Sequence, residues 1–528
     1  MVTNLPGAVL RKKGLVYMKN KLFFVMLLSV VFLLISSAIY ATDYTKGPDS
    51  EKLKVILSDF EAYAKSGMTD WQVPGMAIAI VRGDEIIYKK AFGVKETGKS
   101  DSVTEETLFQ IGSTSKAFTS ALVAMMVDEG KVGWNDKVIN YLPDFMMYDP
   151  WVTREFNVTD LMAQRSGMPP YASDSLASFG YDRQYIIHNI RNIKPVGSFR
   201  SDFAYQNNLW LVAAEIVEKL SGKSWEENIK ERIFNPLGMN NSSTDMKSYT
   251  EGKNAAFIHT KINGKVTALP MDWPYMHWTY TYGPAGGINS DITDMAKWLT
   301  FQVNNGTFRG KSIISKENMA FIHSPKTFAP PMENQPLQSY CQGWIYRENT
   351  PCDIVWHNGG TSGFKTMIAI VPEAKIGIVV LSNLADTELP DSLAYRFFDM
   401  YFDRPERDWS GEYLAIEKKK EDPANVPLPP KNPSPPMELK NYTGTYSNDI
   451  YGEITVSEKD RGLIIKIGPK KMNVFLRHWD RDIFISSLDG SEEGGFATFQ
   501  TDYTPEATIL TLDIINRDGC GVFKKVKK

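Results

Sequence analysis

Cysteine is nearly absent: the 528 residues include only Cys341, Cys352 and Cys520. Such scarcity excludes a disulfide scaffold, and an odd number leaves at least one thiol unpaired. Cys341 and Cys352 are close enough in sequence to bridge a hairpin, but spacing alone does not establish the geometry a bridge needs. Histidine is scarce as well: the six are scattered with no pair at ligand spacing, so neither a metal nor another cofactor is implied. Charge of one sign is missing, since 59 basic against 62 acidic side chains leave a net −3. Outside the C-terminal tail no basic run exceeds three residues, which excludes the broad cationic face a nucleic acid requires. There is no internal repeat, and no G-x-S-x-G elbow of the kind that marks α/β-hydrolases.

What is present is ample apolar material, 43% hydrophobic and 12% aromatic, in a chain too long for one ordinary core. Two folded units are expected. A basic stretch (Arg11, Lys12, Lys13, Lys19, Lys21) precedes an uncharged apolar segment over 22–41 and then Thr42-Asp43-Tyr44. That pattern directs export, to a periplasmic or extracellular location. The apolar segment is longer than a usual signal core and near a bilayer span, so residues 1–44 fit a cleaved signal or a membrane anchor. No later segment approaches a span.

The clearest boundary is EDPANVPLPPKNPSPP over 421–436, where seven prolines remove backbone donors and favour an extended connector. The expected organisation is a hydrolase-sized domain over 45–408, a proline-rich linker over 409–437 and a small β domain over 438–528. In the large domain, 76–81 and 86–88 read as a hairpin around Gly83-Asp84. Residues 118–129 and 209–220 read as amphipathic helices ended near Gly130 and Gly222, and strands return at 354–356, 366–371 and 376–381. Helices on a late antiparallel sheet predict an α/β architecture. After the linker, short strands at 452–457, 462–467, 473–478, 482–486, 496–501 and 509–515 predict a small closed barrel.

The chemistry centres on Gly112-Ser113-Thr114-Ser115-Lys116. On a helix, positions i and i+3 share a face, so the Lys116 amine can reach the Ser113 hydroxyl, and a hydroxyl needs such a base to become nucleophilic. The helix start also favours developing negative charge. Alone, the motif equally fits a helix cap beside a surface lysine. A second copy, Ser362-Gly363-Phe364-Lys365, precedes a β-rich stretch where i and i+3 point to opposite faces, so it cannot work the same way. Tyr205-Gln206-Asn207 ahead of the second helix and His357-Asn358-Gly359-Gly360 after a strand have ordinary explanations singly. Their order and separation together do not. Gly93-Val94-Lys95-Glu96-Thr97-Gly98-Lys99-Ser100 matches a phosphate-binding loop at every fixed position, yet it leads into a polar stretch rather than a helix and is discounted. The aromatic run over 273–280 reads as core packing or as a pocket wall.

Ser113-x-x-Lys116, Tyr205-x-Asn207 and His357-x-Gly359 together resemble the motif set of the serine β-lactamase and DD-peptidase superfamily, on its class C β-lactamase, esterase and D-aminopeptidase branch. The likeness runs over about 50–399 and includes Leu161 to Met168, Asn235 to Met239 and Gly283 to Gly287. The tail resembles a lipocalin-like domain attached to some peptidases of that family. The resemblance implies an antiparallel sheet flanked by helices and a serine hydrolase of a small peptide or ester, of the D-aminopeptidase or DD-carboxypeptidase kind. A carboxylesterase, a weak β-lactamase and a non-catalytic penicillin-fold binding protein are the alternatives. It implies an acyl-enzyme on Ser113, proton handling by Lys116 and Tyr205, and substrate contacts from Asn207, His357, Gly359 and Gly360. The N–H groups of Ser113 and Gly360 would form an oxyanion hole, worth about 3–4 kcal/mol per donor in comparable enzymes. His357 stands where many relatives have lysine, so a cation for a substrate carboxylate is lost at neutral pH.

Overall fold

The structure is a computed structural model that describes residues 47–527 apart from 331–335, 350–351, 421–429, 461, 489–492, 504 and 517–518. The expected export segment and much of the proline-rich stretch therefore lie outside the described residues. Among the described residues no helix is long and apolar enough to cross a membrane.

The large domain is built on an eight-stranded sheet. In chain order its strands are β1 (Gly75–Arg82), β2 (Glu85–Gly93), β3 (Thr327–Ala329), β4 (Gln338–Tyr340), β5 (Ile345–Arg347), β6 (Ile354–Gly360), β7 (Lys365–Val371) and β8 (Ile376–Ser382). Spatially the order is β2-β1-β8-β7-β6-β5-β4-β3, antiparallel throughout. The N-terminal hairpin thus joins the late strands, with Ile78 of β1 opposite Val380 of β8. Central strands are apolar on both faces because both are covered. Met76, Ile78 and Ile80 pack with α1 (Ser50–Trp71) and α5 (Leu389–Tyr401), whereas Ala77, Ala79 and Val81 share a core with α2 (Ser115–Asp128), α3 (Asn208–Ser221) and α4 (Ile292–Val303).

The expected amphipathic character of the first helix is corrected here. Every residue of α2 from Ser115 to Met126 is buried, so it is a central helix rather than a surface one. Its Phe118 stacks on Trp298 of α4 at 3.7 Å, and the Gly283–Gly286 turn closes over it, with Thr119 Oγ1 donating to the Pro284 carbonyl at 2.7 Å. Gly130, at φ +67°, ends the turn that follows. The cysteine bridge left open by spacing is not formed: Cys341 and Cys352 are free and belong to the cores on opposite sides of the sheet.

Residues Trp409–Lys420 are helical and packed, with the Trp409 ring 5.1 Å from Tyr395 and the Arg407 guanidinium 3.6 Å above its face. Beyond the proline-rich stretch, eight strands close a barrel. They are β9 (Gly444–Asn448), β10 (Gly452–Lys459), β11 (Gly462–Ile467), β12 (Met472–Asp480), β13 (Ile483–Leu488), β14 (Glu493–Thr501), β15 (Ala507–Leu512) and β16 (Val522–Lys525). The first and last were not apparent as strands, yet their pairing of Tyr446 with Lys525 closes the barrel and removes both edges. Inside, Tyr442, Tyr446, Phe484, Phe499 and Phe523 fill the space. The barrel grips residues 179–192 of the large domain. Tyr181 donates to the Tyr451 carbonyl, Tyr185 to that of Ile450 at 3.0 Å, and Asn192 to that of Asp449 at 3.0 Å.

One buried charge cluster orders the loops that lead to the site. Asp160 is fully buried and receives the Arg165 guanidinium at 2.8 Å and that of Arg200 at 2.6 Å. Removing the shared carboxylate leaves two guanidinium groups side by side without their counter-charge, Arg165 keeping only the Lys326 carbonyl at 3.1 Å and Arg200 only that of Glu155 at 3.0 Å. Asp160→Ala is therefore expected to lose about 3 kcal/mol or more of stability. Urea denaturation of the whole chain reads this directly, and an unchanged midpoint would show the cluster to be energetically idle.

Candidate active site

Gly112–Thr114 forms a single 3-10 turn that feeds α2, so Ser113 precedes the first α-helical residue and Lys116 lies one turn on. The Lys116 side chain is fully buried, with Nζ 3.1 Å from Ser113 Oγ, 2.6 Å from Asn207 Oδ1 and 2.9 Å from the Ala285 carbonyl oxygen. Burial pulls the amine down from the usual lysine range to about 7, against the opposing pull of the Asp174 carboxylate. When neutral, the amine has two N–H groups and one lone pair. Asn207 Oδ1 and Ala285 O can only accept, so they take the N–H groups, and the Ser113 hydroxyl is the one of the three that can donate to the lone pair. The arrangement can thus withdraw the Ser113 proton at neutral pH.

Tyr205 faces the same serine. Its phenol is hydrogen-bonded to Ser113, and burial, reinforced by the neighbouring Tyr340, pushes it well above the ordinary range, so it stays an O–H donor. Two contacts hold Tyr205 and Asn207 from the intervening residue. The Gln164 side chain donates Nε2–H to the Gln206 carbonyl at 3.1 Å and accepts the Gln206 N–H at 2.6 Å, closing a two-point bridge to backbone. Gln164 is itself in the left-handed region at φ +57° and lies within the Leu161 to Met168 segment, where no motif singles it out.

Strand β6 brings the third motif. β5 pairs only with Ile354 to Trp356, which leaves 357–360 with an unpaired edge at the site, while β7 pairs on the other side. Gly112, at φ +52°, and Gly359 allow the strand and the 3-10 turn to touch. A β-carbon at Gly359 would lie 2.1 Å from the Ile111 carbonyl oxygen and 3.0 Å from the Ser113 nitrogen, and one at Gly112 would lie 2.8 Å from the Gly360 nitrogen. The Ser113 and Gly360 backbones are thus brought side by side.

His357 is 1% exposed and both ring nitrogens are engaged within the protein. Nδ1 lies 2.5 Å from the Asn358 carbonyl and so carries the proton, leaving Nε2 to accept from Tyr340 Oη at 3.0 Å. Burial, helped by the nearby Lys116 charge, pushes the imidazole down to about 3, so it is neutral at any physiological pH. The open space is a cavity of about 500 Å³ bounded by Ser113, Tyr205, Asn207, His357 and Gly360 together with the rings of Tyr171, Phe203, Trp278, Tyr282 and Trp356. Trp278 of the aromatic run is thus a wall, pinned by its Nε1–H to Ser362 Oγ at 3.0 Å. Asp174 also lines the cavity, a carboxylate no sequence motif announces. Among the described residues no cluster of metal-ligating side chains occurs. The discounted phosphate-loop pattern leaves β2 as a turn tied by Lys95 to Asp101 at 2.7 Å and opens no helix.

A family model described as Beta-lactamase matches residues 60–397, and a second, described as a domain of unknown function (DUF3471), matches 428–519. The chain is 28% identical over 440 residues to a protein named unguisins hydrolase from Aspergillus campestris, covering 77% of this chain and 79% of that one. It is 24% identical over 386 residues to penicillin-binding protein 4 of Amycolatopsis lactamdurans, covering 72% and 95%. Among solved structures, the octameric penicillin-binding protein homologue from Pyrococcus abyssi shares the fold, with a TM-score of 0.58 at 23% identity over 86% of this chain and 98% of that one.

The glycine contacts make a paired test. Gly359→Ala drives a methyl into backbone and is expected to cost about 1–3 kcal/mol and lower the thermal midpoint. Gly360→Ala, whose β-carbon would meet nothing within 4 Å, is expected to melt like the wild type. Equal midpoints for the two variants would refute the close approach.

Proposed function

The chain belongs to the Beta-lactamase family, whose model spans well over half of it, and from that premise we propose a serine hydrolase that cleaves an amide or ester bond through an acyl-Ser113 intermediate. The observation that carries the reading is the buried Lys116 amine, lowered to about 7, with the Ser113 hydroxyl as the one hydrogen-bond partner able to donate to its lone pair. A lysine poised near neutrality beside a hydroxyl is a base matched to its task.

The steps follow from the contacts. Lys116 takes the proton as Ser113 Oγ bonds to the substrate carbonyl carbon, and the N–H groups of Ser113 and Gly360 receive the oxygen as it becomes negative. Tyr205, kept protonated, hands a proton to the leaving amine or alcohol as the scissile bond breaks, and the proton that Lys116 took from Ser113 restores the phenol, the amine lying 4.7 Å from the Tyr205 ring centre. Water then adds to the ester carbonyl, Oγ leaves, and the proton given up by water returns to Ser113. One water is consumed, and one acid and one amine or alcohol are released.

The cavity also bears on substrate class. His357 offers no cation, its two nitrogens being occupied, and aromatic rings dominate the walls. These features favour a peptide-like amide or an ester with an apolar acyl group over a penicillin or a DD-peptide, both of which carry a carboxylate beside the scissile bond. The relatives named hydrolases support bond cleavage rather than binding alone. An exported or membrane-tethered location, proposed from the apolar segment over 22–41, would suit such a substrate.

Intact-mass analysis after exposure to a fluorophosphonate tests the assignment. Wild type is expected to gain one adduct and Ser113→Ala none; an adduct retained by the variant overturns it. Labelling should follow a single acid limb, rising with pH through about 7, because the neutral amine is the active form. A limb near the ordinary lysine value would remove Lys116 from the role of base.

A further inference from the structure

Asp174 belongs to none of the three motifs, yet it touches the machinery. Its Oδ2 accepts from Asn207 Nδ2 at 2.7 Å, while Asn207 Oδ1 accepts from Lys116 Nζ at 2.6 Å. A primary amide has one accepting and one donating end that are nearly equal in shape, so its orientation is decided by partners. A carboxylate only accepts. It therefore requires the NH2 end of Asn207 on its side and turns the oxygen toward Lys116. We propose that Asp174 is a positioning residue that fixes the Asn207 amide and thereby aims the Lys116 lone pair at the Ser113 hydroxyl.

The backbone that delivers Asp174 is unusual. Tyr171 and Ser173, neither of them glycine, are both in the left-handed region, at φ +59° and +63°. Conformations of that kind persist only where surroundings enforce them. Here the enforcement is visible: Tyr171 N–H donates to the Tyr205 carbonyl at 2.7 Å, Asn208 Nδ2 donates to the Ala172 carbonyl at 3.1 Å, and Tyr282 donates to that of Ser173 at 3.0 Å. Two of the three ties come from residues adjoining or within the Tyr205-x-Asn207 motif and its following helix. The turn and the motif are thus built as one unit, with the carboxylate as the side-chain contact that reaches Asn207.

The carboxylate also acts through space. It raises the Lys116 amine against the larger lowering effect of burial. Around the amine, burial also holds the phenols of Tyr205 and Tyr340 protonated and the His357 imidazole of β6 neutral, and the Tyr171 ring packs behind Tyr205. Removing the charge has one sign: the neutral amine is favoured and the acid limb moves down.

This inference rests on the acyl-Ser113 reading, and the test separates the two. Asp174→Asn keeps the size, removes the charge and lets the facing amides turn freely. Fluorophosphonate labelling rates measured against pH are expected to show the acid limb lower by about one pH unit or more. The plateau rate is expected to drop by about tenfold or more, as for a misaimed general base. Asp174→Glu, which keeps the carboxylate, should hold the limb near the wild-type position. A limb and plateau unchanged in Asp174→Asn overturn the inference while leaving the acyl-serine reading intact. Failure of the wild type to label, with Ser113→Ala indistinguishable from it, sinks the acyl-serine reading instead. Should Asp174→Asn melt below the assay temperature, Asp174→Ser supplies the same comparison, with the same limb shift expected and an unshifted limb again decisive against.

Discussion

A single amine placed where water cannot reach it is the constraint around which the large domain is arranged. In water, Lys116 would hold its proton and be useless as a base; inside α2 it cannot hold that proton firmly, because no bulk solvent stabilises the charge. Such burial is possible only if the helix carrying it is covered on every side. That is why α2 is buried around its whole circumference, with Phe118 against Trp298 on one side and the Gly283–Gly286 turn over another. The same turn supplies the Ala285 carbonyl, so the element that excludes water also absorbs one of the amine's hydrogens. Packing and proton chemistry are the same contacts seen at two scales.

The remaining groups must then converge on that amine from distant parts of the chain. β6 arrives as the free-edged end of a strand whose other residues are locked in the sheet, and small residues at 112 and 359 let it close against the 3-10 turn. Tyr205 and Asn207 arrive on a loop that has no regular backbone pairing of its own, and Gln164 substitutes a side chain for the missing strand partner. Asp174 begins a segment that continues into residues 179–192, where Tyr181, Tyr185 and Asn192 donate to barrel carbonyls. The barrel therefore steadies the far end of the segment whose near end forms a wall of the cavity.

Periodicity and motif spacing made much of this legible. The hairpin, the three late strands, the helix beginning near Ser113 and a β-barrel after the prolines all follow from local pattern, and the three motif clusters do lie around one cavity. The missed features share a cause. Asp174, Gln164 and Tyr340 act through single side chains in loops or a three-residue strand, where neighbouring residues carry no pattern to point at them. The closing strands of the barrel were hidden for another reason: Gly444–Asn448 is polar on its outer face, and Val522–Lys525 sits in a lysine-rich tail that reads as solvated charge. The exposure of α2 was misjudged because a helix buried all round still shows helical spacing, and only its neighbours reveal that the polar positions are inside as well.

The electrostatic character of the cavity follows from these placements. Lys116 near neutrality is offset by the Asp174 carboxylate, and Tyr205 and His357 are held uncharged. On the proposed reading, the cation near a negative oxygen developing on the substrate is Lys116, protonated in that same step and placed beside Ser113 Oγ, and not at the oxygen itself. The oxygen is met by backbone N–H groups, whose strength comes from their fixed direction. Dipoles lose their effect with small misalignment far more readily than a full charge does. A site that works this way has to be rigid at its glycines, and the tight approach of 112 to 360 and of 359 to 111 is the geometric form that requirement takes.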